Sequence, residues 1–179
     1  MHHVLDFASP DVLRVAIGTA CFAIGAWLGT LFPDIDRFKI FRLRHRSIVT
    51  HSFLMPALLW TGLSFTTAEW PEWFIPGFAA GVALHLAFDL FPQKWRGFAL
   101  VDVPKWGRST RTVSTVLLFS NLFLCVIISV SIFPEYGPAG ILAYAATLTA
   151  LYLYGLLAKK EHFAAGPLLT ILTLGGDAL

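Results

Sequence analysis

The sequence predicts an all-α, polytopic membrane protein folded as one domain over residues 1–179. Three observations carry this. First, apolar residues make up 56% of the chain and charged residues only 13%, whereas soluble domains usually hold about 25% charged residues. The mean hydropathy of +0.70 points the same way. Second, five segments are apolar over the roughly 20 residues that a bilayer-crossing helix needs. Third, the basic residues alternate between connecting loops.

The five expected spans are Val12–Phe32, Ser47–Phe65, Trp73–Phe91, Ser114–Phe133 and Ala139–Leu157. Pro33, Pro71, Pro92, Pro134 and Pro138 lie at or just beyond span ends, where a residue without a backbone N–H is tolerated. A further apolar run, Phe163–Leu174, is short. It reads as a re-entrant piece, a surface helix or a sixth span. No internal repeat or low-complexity linker interrupts the chain. The first apolar run is too long for a cleavable signal peptide, and no basic start precedes it. Cys21 and Cys125 fall inside apolar stretches and form no CxxC. They read as small apolar packing.

Twelve of the thirteen Lys and Arg residues fall on one side of this arrangement. The first loop carries Arg37, Lys39, Arg42, Arg44 and Arg46. The third carries Lys94, Arg96, Lys105, Arg108 and Arg111, and Lys159 and Lys160 follow the fifth span. The second and fourth loops carry acids and no base; Arg14 is the exception. The positive-inside rule puts the basic side in the cytoplasm and the N-terminus outside. Orientation and contact with anionic lipid account for most of these bases. The net charge of +2 is too small to suggest nucleic acid.

The stretch LFPDIDRFKIFRLRHRSIVTHS, Leu31–Ser52, concentrates polar chemistry. Asp34 and Asp36 close the first span, His45 lies in the loop, and His51 sits about one turn into the second span. In GVALHLAFDLFP, His85 and Asp89 are four residues apart, so they share a helix face near the end of the third span. The alternating topology brings all these ends to the cytoplasmic side. Asp34 and Asp89 sit at helix C-termini, where negative charge is disfavoured. A charge in hydrocarbon costs about 2–3 kcal/mol or more. Arginines alone would balance the carboxylates but leave the histidines unexplained. A divalent cation explains both. Mixed imidazole and carboxylate donors suit Zn, Mn or Fe, as one ion or two. A purely structural polar cluster is the competing reading.

The blocks PDID, HRSIVTHS and HLAFD followed by RGFALVDVP resemble the YdjM-like family of bacterial inner-membrane proteins, described as membrane-bound metal-dependent hydrolases. Pro33, Asp34 and Asp36 match the first block, and His45, Arg46, Thr50, His51 and Ser52 the second. His85 and Asp89 match the third. The resemblance covers about residues 29–104, and the spans over 114–157 carry no motif. It departs from the family at Arg37, where a His is frequent, and at FPQKWRG after Asp89. The resemblance implies a hydrolase related to zinc-dependent phospholipase C-type enzymes.

The combined expectation is a phosphoester hydrolase of the bacterial inner membrane, with its site facing the cytoplasm. Asp34, Asp36, His51, His85 and Asp89 are the expected metal ligands. His45, as ligand or proton shuttle, and Arg46 are expected at the chemistry. Arg44, Lys94 and Arg96 are expected to hold an anionic head group, since basic side chains pair with phosphate. Membrane lipid is both the environment and a candidate substrate. The alternatives are a non-catalytic metal-binding protein and a structural or regulatory one. An ion carrier fits less well, because its polar groups would lie near mid-bilayer.

Overall fold

The computed structural model describes residues 10–37, 46–90, 100–131 and 133–158. The chain is predominantly helical. Helix α1 spans Pro10–Leu31 and runs into a 3-10 segment, Phe32–Arg37. Helices α2 (Leu54–Leu63) and α3 (Trp70–Leu90) follow. A hairpin of two short antiparallel strands, β1 (Asp102–Val103) and β2 (Gly107–Arg108), precedes α4 (Arg111–Val130) and α5 (Phe133–Ala158).

Among the described residues, three helical stretches are long and apolar enough to cross a membrane: Val12–Asp36, Trp70–Leu90 and Arg111–Val130. Helices α1, α3 and α4 therefore match the expected first, third and fourth spans to within a few residues. Helix α4 starts early because the Thr110 side chain caps it, accepting from the Val113 N–H at 3.4 Å. Helix α5 breaks at Gly137 (φ 49°), followed by Pro138. The helix beyond that break coincides with the expected fifth span, and its apolar stretch Gly140–Tyr154 is shorter than the other three. The Phe163–Leu174 run lies outside the described residues.

The second expected span differs. Instead of a helix over Ser47–Phe65, only the ten residues Leu54–Leu63 are helical, about 15 Å of rise. Residues 46–53 form turns because their hydroxyls compete for the backbone. Thr50 Oγ1 donates to the Ser47 carbonyl at 3.1 Å, and Ser52 Oγ accepts from the Leu54 N–H at 3.3 Å. Asn121 on α4 holds the start of α2 by accepting the Phe53 N–H at 3.0 Å. The hairpin is an addition to the all-α expectation. Its first strand is stitched to the turn by Asp102 N–H to Arg46 O and Ile48 N–H to Asp102 O, both 2.9 Å.

Helix α3 is the centre: 72% of its apolar window is buried, against 28% for α1 and 39% for α4. It lies against α1 with no side chains between the backbones at four glycines. A Cβ on Gly25 or Gly29 would strike the Phe74 or Phe78 carbonyl, and one on Gly77 or Gly81 the Phe22 or Ala26 carbonyl. On Gly18 it would enter the Trp73 ring. Gly25 with Gly29 and Gly77 with Gly81 form two facing GxxxG motifs, the pattern that lets membrane helices approach closely. Contacts pair residue 18 with 73, 22 with 77, 26 with 81 and 30 with 85. The constant offset makes the two helices parallel, with both C-terminal ends on one side.

Parallel helices require the intervening chain to return along their length. It starts beside Asp36, where Ser47 is bound, and arrives at Glu69, which pairs with Arg14 near the start of α1 at 2.8 Å. That pair is well exposed and adds little stability; it does mark where the return ends.

Gly81→Leu should destabilise the protein by roughly 1–3 kcal/mol or more through forced overpacking. Gly62→Ala, which meets nothing within 4 Å, should leave stability unchanged or slightly raised. Thermal unfolding of both variants in detergent checks this; equal effects would refute the role of the glycine contact.

Candidate metal centre

The parallel packing delivers three pieces of chain to one end of the molecule. The 3-10 segment after α1 brings Asp34 and Asp36. The turn before α2 brings Arg46 to Ser52, and the last turns of α3 bring His85 and Asp89. Asp36 is 2% exposed and His51 fully buried. His51 thus lies in the turn ahead of α2, not one turn inside a helix as expected.

His51 Nε2 lies 3.3 Å from Asp89 Oδ2, and His85 Nε2 lies 3.8 Å from the same oxygen. The two imidazole rings meet edge to face with centroids 5.3 Å apart. One donor atom from each of His51, His85 and Asp89 falls within 4.8 Å of the other two. Around a tetrahedral zinc with ligands near 2.1 Å, neighbouring donors would stand about 3.4 Å apart. The cluster is thus already close to the spacing a single divalent ion requires.

The outward nitrogen of His85 explains its orientation. Its Nδ1 lies 3.0 Å from the Thr30 carbonyl, which can only accept. Nδ1 therefore carries the proton, and the Nε2 lone pair is directed at the cluster. A carbonyl or carboxylate behind the imidazole is the usual support for a metal-binding histidine.

Asp89 divides its oxygens. Oδ1 receives the Arg46 guanidinium, from both Nε and Nη2 at 3.2 Å, and Oδ2 faces the histidines. Arg46 itself adopts φ 65°, a left-handed conformation that costs a non-glycine residue about 1–2 kcal/mol. Backbone bonds to Asp102 hold the turn in that shape. The charge problem at the C-terminal end of α3 is thus met partly by a cation from the turn before α2.

Of the five expected ligands, His51, His85 and Asp89 come together as a donor set. Asp36 lies behind His51, with Oδ2 at 3.4 Å from Nδ1 and accepting from Ser47 N–H (3.0 Å) and Thr50 Oγ1 (3.2 Å). Asp34 has a buried Oδ1 and is near enough to act electrostatically on His85, yet falls outside the donor set. Arg46, expected at the chemistry, touches Asp89. His45, Arg44, Lys94 and Arg96 lie outside the described residues. Sequence reasoning gave no role to four contributors: the Thr30 carbonyl, the hooks Ser47 and Thr50, and Asp102, which is 7% exposed and anchors the turn. The density of hydroxyls in RSIVTHS was the available signal for the hooks.

Fold and site together define a helical membrane protein with a His/Asp centre able to hold a metal ion at one end of a parallel helix pair. The YdjM inner membrane protein family matches residues 9–163, and the chain belongs to that family. No curated protein and no solved structure matches it.

The Arg46–Asp89 contact can be weighed by a double-mutant cycle. Arg46→Ala and Asp89→Asn should each destabilise the metal-free protein. The double variant should fall short of the sum by roughly 0.5–3 kcal/mol. Additive losses in denaturant unfolding would show that the two side chains do not act on one another.

Proposed function

We propose that this protein is a metal-dependent hydrolase acting on a phosphoester, of a lipid or another anionic substrate, at the cytoplasmic face of the inner membrane. The observation that carries the proposal is the convergence of His51 Nε2, His85 Nε2 and Asp89 Oδ2. Mixed nitrogen and oxygen donors favour Zn, with Mn or Fe as alternatives. Three protein donors leave a coordination position open, which distinguishes catalytic zinc sites from closed structural ones. A divalent ion held there would supply Lewis acidity and make water a better nucleophile at neutral pH.

The protein's own residues supply the remaining requirements. Thr30 keeps the proton of His85 on the side away from the cluster. Arg46 holds Asp89 in place and, being 23% exposed in its side chain, offers N–H groups that can reach an anionic substrate beside the site. The basic loops are the ground for the cytoplasmic orientation. A reporter fused after Glu72 should report an external position, and one at Trp106 a cytoplasmic one. The reverse pattern would move the site to the other face.

The direct test is metal content and hydrolysis together. Purified protein should bind about one Zn2+ per chain, as a single three-donor set implies. A screen of phospholipids and phosphodiesters should reveal hydrolysis that a chelator abolishes. Asp89→Asn and His85→Ala should lower that rate at least about 100-fold, since loss of a donor exceeds the effect of losing its support, while circular dichroism keeps its helical signal. Hydrolysis that survives complete metal removal would refute the proposal. Metal binding with no hydrolysis of any substrate would favour the non-catalytic alternative.

A further inference from the structure

Asp36 and Asp34 enter the sequence as an equivalent pair, Asp-x-Asp, but their surroundings differ. The Asp36 carboxylate does not face the point on which the three donor atoms converge. It lies on the opposite edge of the His51 ring, 3.4 Å from Nδ1, while Nε2 faces Asp89. Its Oδ2 also takes the Ser47 N–H and the Thr50 hydroxyl. Thr50 Oγ1 is itself 3.1 Å from His51 Nδ1. Two acceptors, Asp36 Oδ2 and the Ser47 carbonyl, lie within reach of its one proton, and a proton given to either leaves a lone pair to receive one from the imidazole. Of the two described partners on this edge of His51, the carboxylate can only accept and the hydroxyl is able to.

We infer that Asp36 is a positioning residue for His51: it keeps a proton on Nδ1, so that Nε2 presents its lone pair to the cluster. The inference deepens the metal reading and rests on it for its functional sense. The carboxylate makes the imidazole a stronger electron-pair donor and locks the ring plane. Thr50 extends the hold from the side, and the Ser47 N–H ties the carboxylate to the same turn that carries His51. His85 has a backbone carbonyl in the corresponding place. The two histidines of the centre are thus oriented by different devices, one charged and one neutral, and only the charged one can be removed by substitution.

The test uses the full-length protein in lipid nanodiscs with 15N-labelled histidine. The His51 resonances are assigned by their absence in His51→Ala. In the wild type, Nδ1 of His51 should carry a proton both without metal and with Zn2+. In Asp36→Asn that proton signal should weaken or vanish. Zn2+ should still bind at one ion per chain, with affinity lowered about 10–100-fold. The absorption bands of the Co2+-loaded form should stay at wild-type positions, because the donors are unchanged.

Three results would overturn the inference. The first is a bare Nδ1 in the wild type. The second is Asp36→Asn with its Nδ1 proton and Zn2+ affinity intact. The third is Asp36→Asn that alters the Co2+ bands as Asp89→Asn does, which would make Asp36 a ligand. If Asp36→Asn fails to fold, Asp36→Glu decides. A retained carboxylate should keep the Nδ1 proton and Zn2+ affinity within about tenfold, with Co2+ bands unmoved; shifted bands or a lost proton would count against it. If the wild type binds neither ion, the metal reading fails on its own, and the Nδ1 proton still decides the role of Asp36.

Discussion

The close approach of α1 and α3 is the constraint on which the rest of the structure depends. Two GxxxG faces meet backbone to backbone, and nothing larger than a hydrogen fits at Gly25, Gly29, Gly77 or Gly81. In a membrane, the hydrophobic effect does not draw helices together, so close van der Waals contact has to do so. The same contact sets the axial register. That register places Thr30 opposite His85, and hence the carbonyl that orients the imidazole. A slide of one residue along either helix would move that carbonyl by about 1.5 Å and separate the support from the ring it supports.

Parallel rather than antiparallel packing gives the site its composition. The ends of α1 and α3 lie together, so the acids that follow the first helix meet the histidine and acid that close the third. The connecting chain adds Arg46, Ser47, Thr50 and His51 from the side. Three segments separated in sequence then contribute to one cluster, and each carries a group that another segment needs. Asp36 holds the turn, the turn supplies Arg46 to Asp89, and Asp89 faces His51 of the same turn. The hairpin strand at Asp102 closes the far side of that turn.

Much of this was readable in the residues, and what was not has physical causes. Long apolar runs announced α1, α3 and α4, because length and hydropathy are properties of a segment alone. The His85–Asp89 spacing announced a shared face for the same reason. The start of α2 was hidden because hydropathy averages over Ser47, Thr50 and Ser52, whose hydroxyls bind backbone locally. The glycine motifs were present at plain four-residue spacing in GAWLG and GFAAG; the spacing marks a contact face without naming its partner. The different surroundings of Asp34 and Asp36 depend on which way a 3-10 turn faces, and two acids two residues apart do not encode that. The β1–β2 hairpin is only two residues deep, too short to leave an alternating pattern.

The segment that carries the hook stops being helical where the site begins. Residues 47–65 are apolar enough to have been read as one uninterrupted helix, and a straight helix would satisfy their backbone groups without help from elsewhere. The folded chain gives up two turns of that helix, and Asp36, Asp102 and Asn121 take over the released N–H and carbonyl groups. Polar backbone outside a helix is tolerated at membrane depth only when protein or water receives it in this way. The short α2 and the assembled cluster therefore follow from the same turn. The residues that leave the helix are the ones that bring Arg46 and His51 to Asp89.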